Sequence, residues 1–184
     1  MKWIKDEEFM RGNIPMTKFN IRVLTMGYLA IEEGDRLLDI GAGTGSISIE
    51  AALHGAKVCA IEKEKEGIEL IGINSKNFGT DIHLIHGQAP DALPTDRFNK
   101  CFIGGSASKL EEIFLYLEEN LEGKGIVCGN FITLKNLNKF IEFLNKYNYK
   151  DIEVQLIQAS VMDKIGLLKG QNPIFIVKGV KSND

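Results

Sequence analysis

A glycine-rich loop near residue 40 constrains the fold of this chain more than any other feature of its sequence. The apolar run Arg36-Leu37-Leu38-Asp39-Ile40 leads directly into Gly41-Ala42-Gly43-Thr44-Gly45, and a helical pattern begins at Ser46. Such a loop lets the chain turn tightly from a buried strand into a helix. In open α/β sheets, ligands bind at the end of the strand where this turn lies. The sequence therefore predicts a parallel sheet with a ligand site at residues 41–45.

Strand and helix patterns alternate along the rest of the chain. They predict strands at 36–40, 57–61, 82–85, 98–103, 125–131, 152–161 and 173–180, and helices at 17–31, 46–54, 64–78, 109–119 and 134–147. This alternation indicates an α/β fold with a doubly wound, mostly parallel sheet. A short glycine-rich link, 166–170, joins the last two strands, so we expect the last strand to be antiparallel. Seven strands in this arrangement resemble the Rossmann-like class I methyltransferase fold.

Length and charge narrow the class of protein. The 184 residues predict a single domain, 1–184, in which residues 1–31 form a segment and helix that cap the ligand cleft. The formal net charge of −3 argues against a nucleic-acid partner. No apolar stretch reaches the roughly 18 residues of a membrane span, and acids follow the amino terminus where a signal peptide would be apolar. We therefore expect a cytoplasmic protein that does not enter a membrane.

Residues that commonly bind metals are few and scattered. Cys59, Cys101 and Cys128 each lie in an apolar run without a Cys-x-x-Cys spacing, so we expect buried thiols. His83 and His86 are three apart on a predicted strand and would point to opposite faces. The sequence therefore predicts no metal site.

The residues around the glycine loop distinguish between two ligand classes. A dinucleotide loop needs a third glycine where this chain has Ser46, and Asp39 would repel a pyrophosphate. The same carboxylate would attract the ammonium group of S-adenosylmethionine (SAM), which has no phosphate. Glu62 follows the next strand, where a carboxylate accepts hydrogen bonds from ribose hydroxyls. NAD also has ribose hydroxyls, so Glu62 alone does not discriminate, but Asp39 favours SAM.

The third strand ends at Gly87-Gln88-Ala89-Pro90, the turn that contacts adenine in many class I methyltransferases. Gln88 stands where that turn commonly has an acid, and its amide oxygen can accept from the adenine amino group; a plain turn residue is the alternative. The predicted SAM-binding residues are Thr17, Asp39, Gly41, Ala42, Gly43, Thr44, Gly45, Glu62, Gln88 and Ala89.

A resemblance to one family is carried by residues 6–9 and 11, 14–18 and 22, 39–46 and 50–52, 60–62, 87–90, 102–106 and 171–175. These segments, from nearly the whole chain, resemble the decarboxylating cobalt-precorrin-6B C15-methyltransferases of cobalamin biosynthesis (CbiT type). It implies methyl transfer from SAM to C15 of a precorrin or cobalt-precorrin tetrapyrrole, with loss of carbon dioxide from the C12 acetate. It also implies a homotetramer, and a separate protein for the C5 methylation that longer relatives carry in a fused module.

A flat polycarboxylate substrate needs cationic side chains to bind its carboxylates and an open approach for its ring. We predict that it is held by Arg11, Lys18 and Arg22, with Lys18 and Arg22 on one face of a helix that Thr17 caps. Gly104, Gly105 and Ser106 follow the fourth strand, where the two glycines would let the ring approach the methyl group. No side chain is identified as a nucleophile, since the conjugated ring supplies its own electrons. Two alternatives remain: a SAM-dependent methyltransferase acting on RNA or protein, and a non-catalytic SAM-binding subunit.

Overall fold

The computed structural model describes residues 3–104 and 109–183. A short 3₁₀ turn, Asp6–Glu8, precedes the first helix. The helices are α1 (Phe19–Leu29), α2 (Ser46–Leu53), α3 (Lys65–Phe78), α4 (Leu110–Asn120) and α5 (Leu134–Lys146). The strands are β1 (Arg36–Ile40), β2 (Lys57–Glu62), β3 (Ile82–His86), β4 (Phe98–Ile103), β5 (Leu121–Phe131), β6 (Lys150–Ile157), β7 (Ser160–Met162), β8 (Leu168–Gly170) and β9 (Ile174–Val180).

Seven of these strands form one sheet in the order β3-β2-β1-β4-β5-β9-β6. Strand β9 runs antiparallel to both of its neighbours, while β1 to β5 pair in parallel. The predicted fold class, a doubly wound and mostly parallel seven-stranded sheet with an antiparallel last strand, is confirmed. The chain reverses its direction of travel across the sheet between β1 and β4, so a crevice opens at the carboxyl ends of these strands.

The core lies on both faces of the sheet because adjacent strand residues point to opposite sides. Leu37 and Leu38 are both fully buried, but Leu37 packs in a cluster with α1 and α2, and Leu38 packs in a cluster with α4 and α5. The second cluster includes Phe114 and Phe140, whose ring centroids are 5.4 Å apart. Apolar residues on both faces of β1 explain why its sequence is a continuous apolar run rather than an alternating one.

Three elements differ from the sequence-based expectation by two residues or more. The strand predicted at 125–131 begins at Leu121. The first helix spans 19–29 rather than 17–31, because Lys18 is extended and Ala30 adopts a left-handed conformation with φ +47°. The predicted strand 152–161 ends at Ile157, and the link that follows contains an antiparallel hairpin of β7 and β8. The Asp163 carboxylate accepts hydrogen bonds from two backbone N–H groups of the hairpin turn, each 3.0 Å long, which is a local device for turning the chain.

Candidate active site

A cavity of about 600 Å³ opens at the carboxyl ends of the parallel strands. Its wall has three parts, which we name by position. The glycine-loop side includes Gly41, Ala42, Gly43, Glu62, Lys63, Gln88 and Ala89. The β4–β5 side includes Ile103, Gly104, Lys109, Ile113, Phe131, Ile132, Thr133 and Asn136. The N-terminal strap, which we define as residues 3–18, contributes Ile14, Pro15, Met16 and Thr17. The cavity therefore lies at the switch point of the sheet, where the glycine loop predicted a ligand site.

The glycine loop lies so close to the end of β4 and to the strap that no side chain fits between them. Gly41 has φ +77°, and a Cβ atom there would lie 2.6 Å from the carbonyl oxygen of Gly104. Gly43 has φ +61°, and its Cβ would lie 3.2 Å from the carbonyl oxygen of Pro15. Both positions therefore require glycine, because a larger residue would be strained and would push into the strap or β4.

Glu62 organises the glycine loop from the end of β2. Its Oε2 accepts a hydrogen bond from the N–H of Gly43, and its Oε1 accepts from the N–H groups of Lys63 and Glu64, each at 2.8 Å. The side chain is 6 % exposed and lies on the cavity wall. Its carboxylate is therefore held in place by backbone donors on the side of the cavity where a ribose ring was predicted.

Gly67 makes this position of Glu62 possible, and it was not among the residues predicted for the site. A Cβ atom on Gly67 would lie 2.6 Å from Cγ of Glu62 and 2.9 Å from the carbonyl oxygen of Gly43. Gly67 is buried in the first turns of α3, so the helix approaches the loop closely. The only signal in the sequence was a glycine inside a helical pattern, which often has a packing reason.

Asp39 lies behind the glycine loop rather than on the cavity wall. Its side chain is fully buried, and Oδ2 accepts a hydrogen bond from the hydroxyl of Ser48. Oδ1 has no hydrogen-bond partner among the described residues. Burial raises the pKa of this carboxyl to about 7, the Ser48 hydrogen bond opposes that shift, and the nearby charge of Glu62 adds to it. Asp39 is therefore a buried acid with an unused acceptor close to the loop.

The other predicted SAM-binding residues are divided by the structure into two groups. Thr17, Ala42, Gln88 and Ala89 line the cavity, and Gln88 is exposed to it. Thr44 and Gly45 do not line the cavity. Thr44 is 1 % exposed, and Gly45 lies at the N-cap position of α2, so both support the loop from behind.

Fewer of the predicted substrate-binding residues than of the predicted SAM-binding residues line the cavity. Gly104 lines the β4–β5 side, whereas Gly105 and Ser106 lie outside the described residues. Arg11 and Lys18 are exposed and do not contribute to the cavity wall. Among the described residues, the lysines that do contribute are Lys63 and Lys109, and neither was predicted to bind substrate.

Comparison with known proteins identifies the family. The model of a family described as a precorrin methyltransferase domain matches residues 8–181, nearly the whole chain. This chain is a member of the precorrin methyltransferase domain family. The Sulfurisphaera tokodaii protein named "Probable cobalt-precorrin-6B C(15)-methyltransferase (decarboxylating)" is 40 % identical over 97 % of this chain and 97 % of its own length.

Two further comparisons agree with this assignment. The Salmonella typhimurium protein named cobalt-precorrin-6B C(15)-methyltransferase (decarboxylating) is 33 % identical over 95 % of this chain and 94 % of its own. The crystal structure of a precorrin-6y C5,15-methyltransferase from Geobacter metallireducens superposes with a TM-score of 0.89 at 31 % identity, covering 98 % of this chain and 97 % of the other. The predicted family is therefore confirmed by both sequence and fold.

Arg22 requires a correction to the predicted role. In this precorrin methyltransferase domain the Arg22 side chain is fully buried. Its Nε donates to Oε1 of Glu50 at 3.2 Å, and its guanidinium also donates to Asp6 at 3.1 Å and to the carbonyl oxygens of Thr17 and Ile4. The prediction that Arg22 binds substrate is wrong because these internal acceptors use its donors. Thr17 does not cap α1 either, since the N-cap residue is Lys18.

Hydrogen bonds from α3 also hold the N-terminal strap in place over the site. Asn74, which is fully buried in α3, accepts from the N–H of Met10 at 2.7 Å and donates to its carbonyl oxygen at 3.0 Å. The Asn74 amide also donates to the carbonyl oxygen of Thr44 at 3.2 Å, and Glu66 accepts from the N–H of Asn13 at 2.7 Å. The strap is therefore tied to both the glycine loop and α3.

Three further observations bear on the expectations about metals, thiols and membranes. All three cysteines are buried and free, which confirms the predicted buried thiols. Within residues 3–104 and 109–183, no group of three or more His, Cys, Asp or Glu side chains is arranged to hold a metal ion. No helix in that same part of the chain is long and apolar enough to cross a membrane.

Proposed function

We propose that this protein transfers a methyl group from SAM to C15 of a precorrin or cobalt-precorrin and removes carbon dioxide from the C12 acetate of the same ring. The observation that carries the proposal is the cavity itself, which joins the glycine loop and Glu62 to a β4–β5 side whose wall includes Ile103, Ile113 and Phe131. The names of the Sulfurisphaera and Salmonella relatives support the substrate and the two reactions.

The glycine-loop side fits SAM in three respects. The Glu62 carboxylate is held at the wall, where it can accept hydrogen bonds from ribose hydroxyls. The Asp39 carboxyl lies behind the loop with Oδ1 unpartnered, and the ammonium of the methionine moiety would favour its ionised form. Gly43 leaves room beside Pro15 that any side chain would fill. When bound, SAM supplies an electrophilic methyl group on a sulfonium.

The contribution of this chain to methyl transfer is positioning. Holding two reactants in line is worth up to roughly 7–11 kcal/mol in favourable cases, and it needs no protein nucleophile. Gly41 and Gly104 are in close contact where β1 and β4 end, so no side chain there separates the two sides of the cavity. The ring can then approach the methyl group across this glycine pair.

The β4–β5 side suits the decarboxylation. Ile103, Ile113 and Phe131 line part of it, and these apolar side chains would exclude water from an acetate bound against them. A carboxylate out of water is destabilised relative to the dispersed charge left on a conjugated ring after carbon dioxide departs. The electron pair of the broken C–C bond passes into the ring, and a proton from solvent then restores the neutral carbon.

The strap and the assembly of the protein belong to the same proposal. In this proposal the N-terminal segment and helix, predicted as residues 1–31, cap the cleft; among the described residues of that segment, 14–17 line the cavity, and Arg11 and Lys18 are exposed for the substrate's outer carboxylates. A homotetramer is supported by the exposed apolar side chains of the β7–β8 hairpin, among them Val161, Met162 and Leu168, at 52 %, 65 % and 66 % exposure. Light scattering on the purified protein tests the tetramer, and a monomer would contradict it. The separate C5-methyltransferase partner and the cytoplasmic location stay predictions.

The deciding experiment is mass spectrometry of a precorrin-6B or cobalt-precorrin-6B substrate incubated with the protein and SAM. We expect one added methyl group and the loss of one carbon dioxide, with no product from the Gly43→Val variant. An unchanged substrate would contradict the proposal. Methylated RNA or protein in a parallel incubation would favour the alternative methyltransferases, and SAM binding without any product would favour the non-catalytic subunit.

A further inference from the structure

The β4–β5 side of the cavity carries a lysine that none of the roles described above uses. Lys109 lies at the N-cap position of α4, directly before Leu110, and lines the cavity. Among the described residues that line the β4–β5 side, it is the one cationic side chain. Lys63, the other lysine of the cavity wall, follows Glu62 on the opposite side.

Lys109 is only loosely held by the protein. Its Nζ lies 3.7 Å from Oδ2 of Asp91, and the two side chains are 41 % and 81 % exposed. An ion pair this long between exposed groups contributes little to stability. The ammonium is therefore available to exchange Asp91 for a carboxylate of a ligand in the cavity.

An exposed apolar side chain lies just after β5, on the same side of the cavity. Ile132 lines the cavity and is 67 % exposed, whereas Leu134, at the start of α5, is 63 % exposed but does not line the cavity. Phe131, just before them, is 2 % exposed and belongs to the core. A large apolar side chain as exposed as Ile132 in the wall of a cavity favours contact with an apolar ligand surface.

Together these features fit the two kinds of surface that a flat polycarboxylate presents. We propose that Lys109 binds a peripheral carboxylate of the tetrapyrrole while Ile132 packs against the face of its ring. This inference rests on the proposed function and assigns the substrate subsite within it. The positive charge is a local exception in a chain of net charge −3, and it takes the place of Arg22, which is committed to Glu50.

The chemistry also specifies which carboxylate Lys109 does not hold. An ion pair stabilises a carboxylate, so pairing the acetate that loses carbon dioxide would raise the barrier to its departure. The carboxylate bound by Lys109 is therefore one that the product retains. Removing Lys109 should weaken substrate binding without changing the ratio of methylation to decarboxylation.

The test compares Lys109→Ala with Lys109→Arg, Ile132→Ser and the matched control Lys146→Ala. Lys146 is an exposed lysine paired with Glu111 at 2.6 Å, at the other end of α5 from the cavity. We expect Lys109→Ala to raise the KM for the tetrapyrrole about tenfold, the scale of a lost charged hydrogen bond. The KM for SAM and the ratio of methylated to decarboxylated product should not change. Lys109→Arg should restore most of the affinity, Ile132→Ser should also raise the tetrapyrrole KM, and Lys146→Ala should match wild type.

A second measurement separates failure of this inference from failure of the proposed function. Titration with a porphyrin that carries acetate and propionate side chains, followed by fluorescence, needs no turnover. Weaker porphyrin binding by Lys109→Ala than by wild type supports the subsite even if wild type does not methylate precorrin. Equal porphyrin binding by both, no binding by wild type, a raised KM for SAM alone, or methylated product that keeps its acetate would each overturn the inference.

Discussion

Arg22 and Glu50 form an ion pair in which both side chains are fully buried, with Nε and Oε1 3.2 Å apart. Glu50 Oε1 also accepts a hydrogen bond from the N–H of Ile4 at 3.0 Å, so the pair joins α1, α2 and the start of the N-terminal strap. The ring of Phe9 lies 4.8 Å from the guanidinium carbon, on the strap itself. The cation that the sequence suggested for substrate instead holds the segment that covers the cavity.

Loss of Arg22 should therefore be a stability defect before it is a binding defect. Arg22→Ala leaves the buried Glu50 charge without its partner, which costs about 3–5 kcal/mol in comparable cases. Urea unfolding measures the change, with Lys18→Ala as the control because Lys18 is exposed on the preceding turn. A difference of less than about 1 kcal/mol between Arg22→Ala and wild type would contradict this prediction.

Glu62→Ala should weaken SAM binding by about 1.5–3 kcal/mol, the scale of a lost charged hydrogen bond. The variant removes the acceptor for ribose and also the carboxylate that holds the N–H of Gly43. Isothermal calorimetry with SAM measures the loss, and Glu64→Ala is the control, since Glu64 is exposed and contacts Lys63 at 3.4 Å. Unchanged SAM affinity would remove Glu62 from the site, and tighter binding of NAD than of SAM would contradict the ligand assignment.

Two glycines of α3 should respond to alanine in opposite directions. Gly67→Ala places a Cβ 2.6 Å from Cγ of Glu62, and overpacking of this kind costs about 1–3 kcal/mol of stability. Gly72 is exposed with nothing within 4 Å of its Cβ position, so Gly72→Ala should stabilise the helix by about 0.5–1 kcal/mol.

Thermal unfolding and SAM titration of both variants check this pair. We expect Gly67→Ala to lose SAM affinity as well as stability, because the displaced groups, Glu62 and Gly43, belong to the site. If Gly67→Ala binds SAM as tightly as Gly72→Ala does, then the close approach of α3 does not shape the SAM site.

Gln88 tests how the adenine is recognised. If its amide oxygen accepts from the adenine amino group, Gln88→Asp should bind SAM at least as tightly as wild type, because a carboxylate is a stronger acceptor. Gln88→Leu should bind SAM more weakly, since it offers no acceptor in the same exposed position. Calorimetry on the three proteins decides the matter, and equal affinities would show that Gln88 is only a turn residue.

Asp39 should make stability fall as the pH rises from about 4 to about 7. Its folded pKa of about 7 lies above the ordinary value of 3.8, so in this window the folded state keeps a proton that the unfolded state has released. Each unit of pKa shift corresponds to roughly 1.4 kcal/mol. Unfolding free energies of wild type and Asp39→Asn, measured from pH 4 to pH 8, isolate the contribution. A constant difference between the two proteins across this range would contradict the raised pKa.

The sequence by itself determined the features that depend on neighbours along the chain. Strand β1, the glycine loop and α2 lie in one continuous stretch, so their local pattern specified the turn and, with Glu62 after the next strand, the glycine-loop side of the cavity. The strand and helix periodicities specified the layers of the sheet. The resemblance in residues 14–18 and 171–175 identified the family, which local chemistry alone would not have done.

Only the tertiary structure decided what each polar residue faces. Arg22 reads as a surface cation because its acceptors, Glu50 and the carbonyl of Ile4, are 28 and 18 positions away in the chain. From the sequence alone, Gly67 is only a destabilising residue in a helix, and its role depends on the contact between α3 and Glu62. Lys109 is likewise only a lysine at the start of a helix, and its role depends on the packing of α4 beside the end of β5. Burial and contact between distant segments are properties of the packed chain, because they depend on which faces meet when the apolar surfaces leave water.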